Sequence, residues 1–186
     1  MIPKWWKNIP MAWRPALLKT GFNWFPAWRA TGARVVEVSR DLRRIVVALP
    51  LKRGTRNAVG TIFGGSLYAA TDGLHPALLA LHLGHDYIVW DKAGAVRYRK
   101  PGRSTLYAEY HIDDAEIARV RHAVATDGEC ERTYLVELKD SAGVVHAEVE
   151  RTVYIAGKGF YARKLKRVAT SAVETIINKQ QKEETT

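Results

Sequence analysis

The stretch Asn57-Ala58-Val59-Gly60-Thr61-Ile62-Phe63-Gly64-Gly65-Ser66-Leu67-Tyr68-Ala69-Ala70-Thr71-Asp72 decides how this chain reads. A glycine pair opens an apolar helix, and a carboxylate follows seven residues after the second glycine. The first turn of a helix presents backbone N–H groups without intrahelical acceptors. Together with the positive end of the helix dipole they can hold an oxyanion. An aspartate on an otherwise apolar helix is costly unless it has a partner or a task. The segment therefore offers both halves of an acyl-transfer site, an oxyanion cradle at Gly64 and Gly65 and a candidate base at Asp72.

Spacing adds a constraint. Seven residues is close to two turns, so Gly65 and Asp72 share a helix face. They lie about 10.5 Å apart along the axis at about 1.5 Å per residue. A base and an oxyanion donor that serve one carbonyl must each come within about 3 Å of the reacting atoms. One copy of the helix cannot supply both. Two antiparallel copies related by a twofold axis can, which predicts a homodimer, or a dimer of dimers, with two shared sites.

The pattern Asn57-x-x-Gly60-x-x-Phe63-Gly64-Gly65 followed by Asp72 resembles the N-x-x-G-x-x-H-G-G…D signature of hotdog-fold acyl-CoA thioesterases of the phenylacetate-pathway type. It is more closely similar to the small DUF4442 branch, over residues 20–156. The resemblance implies an α+β hotdog fold, with an antiparallel sheet of about six strands wrapped around a central helix. It implies an acyl-CoA or other acyl thioester as substrate, and no cofactor or metal is expected. In such proteins the glycine amides polarise the thioester carbonyl, an acidic residue of the partner helix activates water, and the asparagine positions the thioester. Those roles fall on Gly64 and Gly65, Asp72 and Asn57. Phe63 stands where many relatives carry histidine.

Composition bounds the rest. The chain has 186 residues, 47% hydrophobic, enough for one domain with arms. Its single cysteine, Cys130, excludes an internal disulfide, suits a reducing compartment and reads as structural. No apolar run reaches the length of a signal h-region or a membrane span, so the expected location is the cytoplasm. Residues 1–56 hold 12 Lys or Arg against 2 Asp or Glu, whereas residues 57–156 hold 10 against 14. The basic excess thus lies in the arm and turns rather than on one reading surface, which argues against nucleic acid.

Three regions are expected. Residues 1–30 form a Trp-rich basic arm carrying five of the six tryptophans, cut by Pro3, Pro10, Pro15 and Pro26, with a helix over 14–22. The arm either caps the core or touches a membrane surface or an acyl chain. Residues 31–156 form the hotdog domain. It contains two short strands in 33–50, a helix over 64–83 kinked by Gly73 and Pro76, and strands 88–98 and 104–112 joined as a hairpin through Lys100-Pro101-Gly102-Arg103. A helix capped by Asp113 or Asp114 and ended by Gly128 follows, then a second hairpin of 131–139 and 144–155. Residues 157–186 form a basic tail with a helix over 168–180 and a frayed end.

Several side chains have two readings. Asp72 is either the base or one half of a structural pair with a buried arginine. Phe63, Ser66 and Tyr68 flank the glycines and are candidate substrate contacts. Arg97, Arg99 and Arg103, with Lys100, either bind CoA phosphates or solvate a turn. His82-x-x-His85 lacks a completing carboxylate pattern for a metal, and His75 reads as a core histidine. Gly64-Gly65-Ser66-Leu67-Tyr68 is not G-x-S-x-G, so no nucleophile elbow is present. The rival functions are a non-enzymatic acyl-binding protein on the same fold and a membrane-peripheral interaction protein. A dehydratase is disfavoured because the helix region lacks the expected catalytic histidine.

Overall fold

The computed structural model describes residues 4–183; the first three residues of the arm and the expected frayed end at 184–186 lie outside the described residues. The chain runs α1 (Arg14–Trp24), α2 (Pro26–Ala30), β1 (Arg34–Val38), β2 (Arg44–Leu49), α3 (Gly64–Ala69) and α4 (Leu74–Leu83). It continues through β3 (Tyr87–Tyr98), β4 (Leu106–His111), α5 (Asp114–Asp127), β5 (Glu129–Lys139), β6 (Val145–Gly157) and α6 (Lys158–Glu183). Six antiparallel strands form one sheet in the order β1-β2-β4-β5-β6-β3.

Alternation explains most of the sheet. In β4 the residues alternate strictly between buried and exposed, with Leu106, Ala108 and Tyr110 inward. The same inward side of β2 carries Ile45, Val47 and Leu49, all close to fully buried. Against this surface pack Leu74, Leu78 and Leu79 of α4, each fully buried. At about 1.5–3 kcal/mol for each fully buried large aliphatic side chain, these contacts dominate the core.

The expected 100–103 hairpin is corrected. β3 pairs with β6, and β4 pairs with β2 and β5. The reason lies in burial. No residue of β3 is buried, so it suits an edge, while β4 has a fully buried face and belongs in the centre. The chain between them crosses the sheet end, held where the Gly102 carbonyl accepts from the Ile62 amide at 2.8 Å.

The single kinked helix over 64–83 is also corrected, to two helices. α3 ends at Ala69, and Gly73, left-handed at φ 77°, stands immediately before α4, so the two helices are separate rather than one bent helix. The tail helix begins at Lys158, ten residues before the expected start. Its basic run is made of good helix formers that continue the helix from β6 without a breaker. α5 follows the expected capping: Asp113 accepts from the Glu116 amide at 2.6 Å, and Gly128 ends the helix at φ 82°.

The arm is docked by polar and apolar contacts. The Asn23 side chain donates to the Val35 carbonyl and accepts from the Val35 amide, both at 2.9 Å. It occupies β1's outer edge as a neighbouring strand would. Trp28 is buried, with Phe22 edge-on to it at 5.5 Å. Trp5, Trp13, Trp24 and Phe25 face outward, more than half exposed.

Candidate active site

The loop before α3 is built by Asn57. Its Oδ1 accepts from the amides of Val59 and Thr61 at 3.2 and 3.0 Å, and its Nδ2 donates to Thr61 Oγ1 at 2.9 Å. Gly60 completes this turn at φ 80°. The Asn57 side chain is thus engaged within the loop that delivers Phe63 and the glycine pair. Phe63 caps α3 in an extended conformation without a side-chain hydrogen bond, so the amides of the first turn receive no side-chain acceptor from it.

Two aromatic rings close around the glycines. A Cβ on Gly65 would penetrate the Phe63 ring, and a Cβ on Gly64 would press on Tyr98 Oη at 3.0 Å. The Tyr98 hydroxyl donates to the Gly64 carbonyl at 3.2 Å. Phe63 and Tyr98 are both exposed. Ser66 is buried under this turn.

At the other end of α3 stands Asp72. Its side chain is 63% exposed, and Oδ1 accepts from Arg151 Nη1 at 3.1 Å. Arg151 is buried to 4% exposure on the inward face of β6. It also donates to the Tyr68 carbonyl at 2.7 Å and to Thr71 Oγ1 at 3.0 and 3.1 Å. Tyr68 covers the guanidinium with its ring, 4.1 Å from the centroid. The guanidinium thus ties the C-terminal turn of α3 to the sheet and fixes Oδ1 of Asp72, whose side chain is otherwise largely open to solvent.

A second carboxylate adjoins this pair. Asp91 of β3 accepts from the Gly73 amide at 2.8 Å, and its Oδ1 is buried without a partner among the described residues. Burial raises the Asp91 pKa, the Gly73 hydrogen bond opposes the rise, and the neighbouring Asp72 charge adds to it. Neither Arg151 nor Asp91 was named as a site residue from sequence. For Arg151 the signal exists, because it sits in the apolar alternation of Val149, Arg151 and Val153, where a charge requires a partner. Asp91 carries no comparable signal.

The basic hairpin candidates separate. Arg99 makes a two-pronged pair with Glu148 at 2.8 and 2.9 Å, which occupies its guanidinium. Arg97 is exposed near the end of β3 and contributes to lowering the Glu148 pKa, after the Arg99 hydrogen bond. Arg103 is exposed in the crossing segment. His75 is a core residue, stacked on Tyr134 at 4.3 Å and edge-on to Tyr110 at 5.1 Å. Burial lowers its pKa to about 4, so it is neutral. Burial raises the Cys130 thiol pKa, which makes it a poor nucleophile.

Beside Gly73 an apolar cavity of about 580 Å³ opens between α4, the first residues of β3 and the arm.

This chain belongs to the DUF4442 family, a domain of unknown function, whose model matches residues 15–155. Solved structures share its hotdog fold. A protein of unknown function from Pseudomonas aeruginosa, described as a probable thioesterase, superposes with a TM-score of 0.68 at 19% identity, over 80% of this chain and 97% of its own. A protein of unknown function from Chlorobaculum tepidum gives 0.64 at 18%, over 77% and 94%. A thioesterase from Haemophilus influenzae gives 0.56 at 12%, over 75% and 88%. No curated protein matches the chain. No helix of the described residues is long and apolar enough to cross a membrane.

Proposed function

We propose that this protein hydrolyses an acyl thioester, such as an acyl-CoA, at two sites shared between the subunits of a homodimer. The observation that carries the reading is the disposition of α3. Gly65 in its first turn and Asp72 beyond its last are both exposed, and the six residues of α3 put about 9 Å between its ends, which favours a site completed by a second copy. The edge position of β3, exposed from Ala93 to Ala95, supports pairing with a second copy beside them.

In this mechanism the Gly64 and Gly65 amides of one subunit hold the thioester oxygen. Asp72 of the other takes a proton from water, whose oxygen attacks the carbonyl carbon. The tetrahedral oxyanion collapses, the C–S bond breaks, and the thiolate leaves and is protonated, giving acid and thiol. Arg151 positions Asp72 by holding its Oδ1. Asn57 acts through the loop it builds, and Arg97, Lys100 and Arg103 are the exposed basic side chains of the cluster that can meet CoA phosphates. Thiol release from a panel of acyl-CoAs, including phenylacetyl-CoA, tests the reading: turnover that collapses in Asp72→Asn supports it. A folded wild type that binds acyl-CoA without turnover establishes the acyl-binding alternative instead.

A second reading applies to the arm. Trp5, Trp13, Trp24 and Phe25 are exposed beside Lys19 and Arg29, a combination suited to a lipid surface. Co-sedimentation with anionic liposomes, compared with a chain lacking residues 1–30, tests it; equal behaviour of the two sinks the idea.

A further inference from the structure

The cavity beside Gly73 has a definite shape. Gly73, Pro76, Ala77, Ala80, Leu81 and Gly84 line it from α4, at helical spacing along one face. They span about 16 Å of axis at about 1.5 Å per residue. The first residues of β3, with Leu18 and Phe22 of α1, complete the lining. The near end abuts Asp72 through Gly73. Trp6 lines the cavity as well, and also lines a second cavity of about 300 Å³ that shares Ala80, Leu81, Gly84 and His85 with the first. Trp6 therefore stands where the two voids adjoin, toward the Gly84 end of α4. It also lies outside the region matched by the family model, which begins at residue 15.

We propose that this cavity is a length gauge for a straight acyl chain and that Trp6 is its end wall. The proposal rests on the thioesterase reading only for the placement of the carbonyl, at the Gly73 end. A volume of about 580 Å³ lies within the usual range of ligand sites, about 300–1,000 Å³. An extended chain advances about 1.2 Å per bond, judged from about 3.5 Å for the three bonds of an extended residue. The length of the α4 face thus accommodates roughly 13 bonds, a tail of the lauroyl-to-myristoyl size. The mostly apolar lining suits a hydrocarbon tail laid along the α4 face.

The test uses the full chain, with displacement of a bound fluorescent fatty acid by saturated acids from hexanoic to stearic, and thiol release from the matching acyl-CoAs. Wild type, Trp6→Ala and Ala80→Trp are compared, with thermal melting as the folding control. In wild type, affinity rises about fourfold for each added methylene, the value of burying one CH₂, up to lauric or myristic acid and then stops. Trp6→Ala merges the cavities and moves the cut-off to longer acids. Ala80→Trp blocks the middle of the channel and moves it to shorter ones. The two variants lie on different elements, Trp6 in the arm and Ala80 on α4, so misfolding of one leaves the other decisive. A cut-off that ignores both substitutions, or the absence of fatty-acid binding by wild type, overturns the gauge. A cut-off that moves as described without any thioester turnover upholds the gauge and overturns the hydrolase reading.

Discussion

Arg151 reaches Asp72 across 79 residues of sequence, Nη1 to Oδ1 at 3.1 Å, yet one partner is buried and the other open to solvent. This asymmetry separates structural cost from functional cost. Arg151 holds the Tyr68 carbonyl and Thr71 as well as Asp72. Replacement by methionine removes four hydrogen bonds and the ring contact with Tyr68 at a buried position, although the Thr71 hydroxyl still donates to the Tyr68 carbonyl, and we expect a loss of about 2–4 kcal/mol in urea unfolding. Asp72→Asn changes stability by under about 1 kcal/mol, as for other solvated pairs. A large stability loss in Asp72→Asn contradicts this division of labour.

Asp91 tests the electrostatics. Its folded pKa lies above the unfolded value of a carboxylate, so the folded state binds the proton more tightly and stability falls as pH rises through the folded pKa. Asp91→Asn removes that penalty. Its carbonyl oxygen still accepts from Gly73, so at neutral pH the variant melts higher than wild type. A lower melting temperature shows that the ionised carboxylate is stabilising as it stands.

The acid limb of the stability curve belongs to two other groups. His75 is held neutral with a pKa of about 4. Between its ordinary value and 4 the unfolded chain binds the extra proton, so stability is full above about pH 6.5 and declines toward pH 4. For Glu116, burial raises the pKa, but hydrogen bonds from Arg132, Tyr134 and Arg119 together outweigh it and bring it to about 2. Its contribution is present above the usual glutamate value and is lost as pH falls from about 4.5 toward 2. His75→Phe keeps the stack on Tyr134 and flattens the curve from pH 6.5 to 4, leaving the lower step. Melting temperatures across pH 3–8 check both; an unchanged slope in His75→Phe excludes the histidine.

The legible parts of the fold and site were those encoded locally. The β1–β2 and β5–β6 hairpins follow from alternation beside turn residues, and α5 from Asp113 and Gly128. The pairing of β3 was not legible, because Val89 and Val96 look strand-like whether at an edge or in the centre; burial from the other strands decides it. Gly73 was visible as a bend. Whether it bends one helix or stands between two depends on Asp91, which receives its amide from a strand 18 residues away. A buried arginine paired with Asp72 was one of the two readings open in the sequence, but which arginine it is depends on β6 lying against α3.

Gly65 admits no side chain while Phe63 lies against it. Gly65→Ala forces the ring aside at a cost of about 1–3 kcal/mol, as overpacking does. Phe63→Ala with Gly65→Ala relieves the clash. Thermal melts of the two single variants and the double variant give a coupling energy of the rescuing sign; additive losses show that the ring yields without cost.

The central claim is the shared site, and subunit complementation tests it most directly. Gly65→Ala and Asp72→Asn chains carrying different tags are co-expressed, the mixed species is purified through both tags, and thiol release from lauroyl-CoA is measured. Each variant alone is inactive, and the mixed dimer, with one site lesioned twice and the other intact, regains up to half of the wild-type rate. A mixed dimer as inactive as its parents, or a wild type that is monomeric and fully active, contradicts the account.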